Sequence, residues 1–341
     1  MQINIWGGFP PQILEHRNMK IFIWISVLFL PFGLFSQNSF RQVKMYHKLI
    51  NKAELNICNE NFKKANAQYK QAFKKVEAPF SIDLYNYLLL NLKLETDTSI
   101  TNVTLRALVQ RGYKLKYLKK RLDVYAFPGV VRLDTSIFDF RICKNKLAIQ
   151  MDSFVMEDQQ MRKYVMDSIS EYYNIYGQDT LTTFDSINCL NLIKVMKYDF
   201  PDESTGFINS SPICEPRYTL VFYHCNSWML HGLYDSLTYN EIFSGRFAPE
   251  WYVHLFFERN GVDSLTQGKY GNPIEYLSDC NNANNEVIKI WKSYSKKQLR
   301  IINKNRKKIF LEKYQEYEIK TKYEFENKIF YFTYNKHIAY C

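Results

Sequence analysis

Apolar residues recur at helical spacing from Tyr46 onward, and that periodicity decides most of what this chain can build. Tyr46, Leu49, Ile50, Ala53 and Ile57 lie three or four residues apart and share one helix face. Asn59-Glu60-Asn61 reads as a turn, and Phe62, Ala65, Tyr69, Ala72, Phe73 and Val76 form a second stripe. Two helices joined by so short a turn bury their stripes against each other as an antiparallel hairpin. A second hairpin follows. Ser81 is placed to cap a helix from Ile82, with Asp83 and Asp97 near its two ends. Leu84, Leu88, Leu89, Leu90, Leu92 and Leu94 make that helix apolar on nearly every side, which predicts burial all round. Val103 to Arg111 is its expected partner, with Gly112 in the position that follows a helix end. Gly is scarce, at 12 residues in 341, which disfavours a many-turned sheet fold. The expected class is mainly α: helical hairpins packed on a second helical domain, with at most a few short strands near the C-terminus.

The first stripes resemble a tetratricopeptide repeat. Ala53, Phe62, Ala65, Tyr69 and Ala72 fall where that repeat places its small and aromatic packing residues, and Pro79 comes two residues late for its closing proline. Two hairpins are fewer than the three or so repeats that stabilise such an array. They are therefore expected to pack on the rest of the chain.

From Leu147 the pattern changes. Leu147, Met151, Phe154, Val155, Asp158, Met161, Arg162 and Val165 share one face of a helix expected to run to about Tyr176, stopped by Gly177. Asp185-Ser186 reads as the cap of a helix from Ile187 to Tyr198, ended by Pro201. Further helices are expected over 218–233 and 237–243, the latter stopped by Gly245, and another opens at Pro249. Residues 285–328 read as a long basic amphipathic helix or helix pair, and 329–334 as the best strand candidate. The expected organisation is 1–36 a signal-peptide region, 37–145 the hairpin domain, 146–276 a helical domain, and 277–341 a basic helical extension.

The address lies near the N-terminus. Lys20 supplies a positive start, residues 21–35 are apolar, Pro31 and Gly33 break the run, and Ser36 suits cleavage before Gln37. The run is about fifteen residues, short of the roughly twenty that span a bilayer. Met19 is a plausible physiological start, because Gly7-Gly8, Pro10-Pro11 and Glu15 do not suit a signal. The reading is an exported protein, periplasmic or extracellular, and not an integral membrane protein after cleavage.

The formal charge is +11, and residues 289–341 carry 14 Lys/Arg against 5 Asp/Glu. In an exported chain such a tail reads as a solvated helix face rather than a nucleic-acid site, so no nucleic-acid partner is expected. Seven cysteines at wide spacing, with no Cys-x-x-Cys, do not make a disulfide framework. One bridge is allowed, and the spacing does not say which.

Asp158 and Arg162 stand at i, i+4 and interrupt the apolar stripe between Val155 and Val165. Inward-facing charges must be paired, so the two either form a structural ion pair or line a cleft. Residues 147–275 resemble a bacterial domain family of unknown function. Its pattern is Asp-Gln-x-x-Arg, a short Asn-containing helix, a helix bearing His, an Asp-Arg pair and Tyr-Gly-Thr-Gln. Here these are Asp158-Gln159-Gln160-Met161-Arg162, Asn188, His224, Glu258-Arg259 and Tyr270-Gly271. Glu258 replaces the family's Asp, Asn272-Pro273 replaces Thr-Gln, and Tyr223 stands where Gln is usual.

The resemblance implies candidate ligand-binding residues Asp158, Gln159, Arg162, Asn188, His224, Arg259 and Tyr270, and no reaction. The two arginines suit a carboxylate or phosphate. An imidazole is the side chain type suited to acid or base work near neutrality, which makes His224 a candidate, with Asp158 as its orienter; a satisfied core histidine beside Leu220 and Val221 is the alternative. His224 and His231 are about 10 Å apart along a helix, and no His/Cys box occurs, so no metal is expected. Nucleophile elbow, phosphate-binding loop and dinucleotide fingerprint are all lacking, so no cofactor is expected. Two functions remain: a module binding a protein partner or small anionic ligand, or a hydrolase or transferase using His224 with Arg162 and Arg259.

Overall fold

The structure is a computed structural model. It describes residues 40–111, 146–168, 178–198, 200–201, 219–225, 232, 234–253, 269–271, 274–278, 287–291, 293–327 and 329–332. The chain divides into two compact units, Met1–Gln42 and Val43–Cys341. The first contains residues 40–42 of the described set, and all that follows concerns the second.

The described part is mainly helical. Helix α1 covers 40–58 and α2 covers Phe62–Phe73. Val43, Tyr46, Ile50, Ala53 and Ile57 are buried on α1, and Ala65, Tyr69 and Ala72 on α2. Asn56 Nδ2 donates to Gln68 Oε1 at 2.7 Å, a polar link between the two helices. Helix α3, Ser81–Lys93, is buried at every position from Ser81 to Leu92, and it packs on both α2 and α4, Thr98–Gln110. Ser81 does not cap α3 but is its first residue; its hydroxyl is taken by Arg111 Nη1 at 3.2 Å. Asp97 is the cap of α4, accepting from the Ser99 amide at 2.8 Å. Gly112 lies outside the described residues.

Helix α5, Lys146–Ser168, and helix α6, Gln178–Tyr198, pack on each other and on the short α7, Thr219–His224. Residues 169–177 and 226–231 lie outside the described set. α6 begins before the expected cap, so Asp185 is inside the helix. Its carboxylate is engaged by Arg162 of α5, which leaves it no capping role. A disulfide joins Cys189 of α6 to Cys225, with 5.9 Å between the Cα atoms. Helix α8, Asp235–Ser244, ends on Gly245 at φ 78°. In that left-handed position the Arg246 amide reaches back to the Glu241 carbonyl at 3.0 Å. Pro249 opens α9, Pro249–Val253.

The C-terminal region departs from its expectation. Residues 274–278 and 287–291 form an antiparallel hairpin, β1 (Ile274–Ser278) and β2 (Val287–Trp291), in the register Ile274 to Trp291 and Ser278 to Val287. The helix read from 285 therefore starts later: Val-Ile-Lys-Ile-Trp is β-branched and aromatic, and a partner strand is available to it. The helix pair is α10, Lys296–Lys308, opened by a Ser295/Gln298 capping box, and α11, Tyr314–Asn327. Residues 329–332 are not a strand. Polar side chains satisfy their backbone instead: Tyr331 N–H donates to Asn86 Oδ1 at 3.0 Å and Phe332 N–H to Glu324 Oε2 at 3.1 Å. Residues 333–334 lie outside the described set.

Most of the basic tail is solvated, as expected, but Arg306 and Lys320 are buried. Lys320 Nζ donates to Glu54 of α1, to Asn51 Oδ1 at 2.9 Å, and pairs with Glu312 at 3.3 Å. Arg306 pairs with Glu312 at 3.4 Å and donates to the Glu312 carbonyl at 2.7 Å. Burial pushes the Glu54 carboxyl up to about 7 against the pull of Lys320, and burial with the charge of Glu312 pushes Glu250 up to about 8. Glu312 is held low: burial opposes ionisation, and Lys320 and Arg306 together outweigh it. This network ties the first hairpin to the last helices, across the positions near 145 and 276 where the sequence suggested boundaries.

Candidate functional site

Asp158 and Arg162 lie on α5, Asp185 and Asn188 on α6, and His224 is the last residue of α7. Asp158 sits on the buried face of α5 with Met151, Val155 and Val165, at 1% exposure. A carboxylate there needs partners, and it has them. Its Oδ1 is 2.9 Å from His224 Nδ1, its Oδ2 accepts from Gln159 Nε2 at 2.8 Å, and Arg162 Nε is 3.5 Å away. These partners hold the carboxyl below its usual range: burial pushes it up, but the His224 hydrogen bond and charge, Gln159 and Arg162 together outweigh burial. Asp185 goes the other way. Burial raises it more than its bond to Arg162 Nη2, 2.6 Å long, lowers it.

Arg162 Nε also stands 3.1 Å from His224 Nδ1. That nitrogen cannot both accept from Arg162 and donate to Asp158. An ionised Asp158 has no proton to give, and Arg162 only donates. With the proton on Nδ1, His224 donates to Asp158 and Arg162 Nε is left to the same carboxylate 3.5 Å away; with Nδ1 bare, it accepts from Arg162 instead. Nε2 makes no hydrogen bond among the described residues. The side chain is 25% exposed, so His224 is not the enclosed core histidine that was its alternative reading.

Asn188 is buried beside the cluster, where Nδ2 donates to the Phe154 carbonyl at 3.3 Å and fixes α6 against α5. Arg259 lies outside the described residues. Tyr270 belongs to other surroundings. It is buried with its ring edge-on to Tyr252, and its carbonyl accepts from Arg306 at 3.2 Å. Burial raises its hydroxyl well above the usual range, with help from the charges of Tyr239 and Asp235 rather than of the Asp158 cluster. Gly271 explains the position. At φ 71° it lets the chain pass where a Cβ would stand 2.8 Å from the Tyr314 ring and 3.0 Å from Ile302.

No family model, curated protein or solved structure matches the chain. The site is thus read on its own geometry.

Two features matter that the sequence reading did not assign. Asp185, taken for a cap, is the second carboxylate on Arg162. The Cys189–Cys225 bridge flanks the site, and its signal was present: each cysteine directly follows a candidate, Asn188 or His224. One ligand atom from each of Asp158, Asp185 and His224 can be chosen so that all lie within 4.8 Å of one another, close enough to share an ion. Arg162 already fills that space as a cation, bonded to Asp185 and within 3.5 Å of Asp158, so the donor set is matched without a metal. The same pairing spends the charge of Arg162. Held by both carboxylates, Arg162 is not a free cation for an anionic ligand.

Proposed function

We propose that this is an exported protein that binds a small polar ligand at the Asp158–Arg162–Asp185–His224 cluster, with His224 Nε2 as the contacting atom. One observation carries the reading: His224 Nδ1 lies 2.9 Å from a buried carboxylate, while Nε2 makes no hydrogen bond among the described residues. The commitment of Arg162 to two carboxylates favours a ligand that brings a proton, such as a hydroxyl or weak acid; an anionic ligand would depend on Arg259. Export is supported by the Lys20 to Ser36 pattern and by the Cys189–Cys225 bridge, because disulfides persist in oxidising compartments. Among the described residues no helix is long and apolar enough to cross a membrane.

The Asp158–His224 pair favours a second reading, a hydrolase or transferase. A carboxylate that holds Nδ1–H stabilises the imidazolium formed when Nε2 takes a proton from water or a hydroxyl. Thermal-shift measurement against a panel of small polyols, carboxylates and phosphates tests binding. A stabilising compound should lose its effect in His224→Gln, and a panel that treats both proteins alike rejects the site. Turnover of p-nitrophenyl acetate or phosphate, abolished in the same variant, selects the enzyme over the binding module. N-terminal sequencing of exported material should begin at Gln37.

A further inference from the structure

The bridge between α6 and α7 touches the site at both ends. Cys189 follows Asn188, which is bonded to α5, and Cys225 follows His224. α6 is a 21-residue helix anchored by buried Leu192, Ile193 and Met196, whereas α7 has six residues. A helix that short does not hold itself together. The last residue of α7 must nevertheless present an imidazole 2.9 Å from Asp158 on another helix. The covalent link is attached one residue beyond it. Cys189 is buried at 1% exposure, while Cys225 is partly exposed.

We infer that the Cys189–Cys225 disulfide positions His224 against Asp158, and that reduction of the bridge by a dithiol uncouples the pair. The inference rests on the ligand-site reading of His224 and adds a redox control to it. The reductant's thiolate attacks Cys225 Sγ, and Cys189 leaves as a thiolate and takes a proton. The reductant's second thiol then closes on the mixed disulfide and releases Cys225. Two cysteine thiols are formed and one dithiol is oxidised. His224, no longer tied to α6, then adopts the tautomer that water selects rather than the one Asp158 imposes.

Ring ¹H–¹⁵N spectra of the ¹⁵N-labelled protein test this, at a pH high enough to keep imidazoles neutral and with His224→Gln assigning the signal. The oxidised protein should show His224 protonated on Nδ1. Dithiothreitol should replace that signature with a mixture rich in the Nε2–H form, with the helical circular dichroism retained. Cys189→Val/Cys225→Ala, which keeps the packing without the bond, should show the mixture without reductant. Persistence of the Nδ1–H form in the reduced protein or in the folded double variant overturns the inference. So does loss of helicity in both, because the bridge would then hold the whole fold. The readout needs no ligand. If the tautomer shifts but His224→Gln alters neither binding nor turnover, the ligand-site reading fails and the positioning role stands.

Discussion

Two carboxylates that share one guanidinium are driven in opposite directions by their surroundings. Asp158 is held below its ordinary value and Asp185 above it, although both touch Arg162. The difference lies in His224 and Gln159, which serve Asp158. A carboxyl lowered on folding stabilises the protein above its unfolded value, near 3.9, and loses that contribution as pH falls through the folded value. Asp158→Asn should therefore cost about 2 kcal/mol at pH 7, the scale of a hydrogen bond to a charged group, with a difference from wild type that shrinks at an acid pH below the unfolded value near 3.9. Urea denaturation at the two pH values measures this; an equal cost at both would show that the charge does not matter. The i, i+4 spacing of Asp158 and Arg162 on an apolar face made this pair legible in the sequence. His224 is 66 residues from Asp158, and only a family pattern grouped them. Asp185 was hidden because an Asp before Ser and an apolar run also looks like a helix cap.

Helix faces were the most legible elements, because period and burial are the same fact seen twice. Tyr46, Ile50, Ala53 and Ile57 on α1 and Ala65, Tyr69 and Ala72 on α2 are all buried, as their spacing predicts. Ala65 is fully enclosed, so Ala65→Leu should overpack the α1–α2 crossing and cost about 1–3 kcal/mol, read as a lower denaturation midpoint with unchanged slope. A substitution without cost there would mean the crossing is loose. Gly271→Ala belongs to the same scale. It combines a left-handed φ with contacts of 2.8 and 3.0 Å to Tyr314 and Ile302, and should lower stability by about 1–3 kcal/mol. Strands were the least legible. Residues 287–291 carried β-branched character at the start of a basic region read as helical, whereas 329–332 carried aromatic character and have no strand partner among the described residues. Pairing, which local sequence does not encode, decided between them.

The buried network of Lys320, Glu54, Glu312 and Arg306, with half-buried Glu250 in reach of its charges, sets how the whole molecule responds to pH. Glu54 at about 7 and Glu250 at about 8 are raised on folding. Raised carboxyls stabilise the fold most below the unfolded value near 4.3, and that contribution is lost as pH climbs through 7 and 8. Glu312, lowered, acts only below about pH 4.3. His47, pushed down to about 3 by burial, stays neutral throughout this window. The melting temperature should be higher at pH 5 than at pH 8, and Glu250→Gln should flatten the upper part of that fall; a flat wild-type profile contradicts the burial. None of this network could be read from the sequence, since Lys320 and Glu54 are 266 residues apart. That separation also sets an order of events in time. At roughly 5–20 residues per second of synthesis, Glu54 emerges tens of seconds before the lysine that neutralises it. Until then α1 carries a carboxylate with no cation to accompany it into the core, and the first hairpin has reason to stay open. If the chain is exported as proposed, such a delay is an advantage: α1 stays open until α11 arrives.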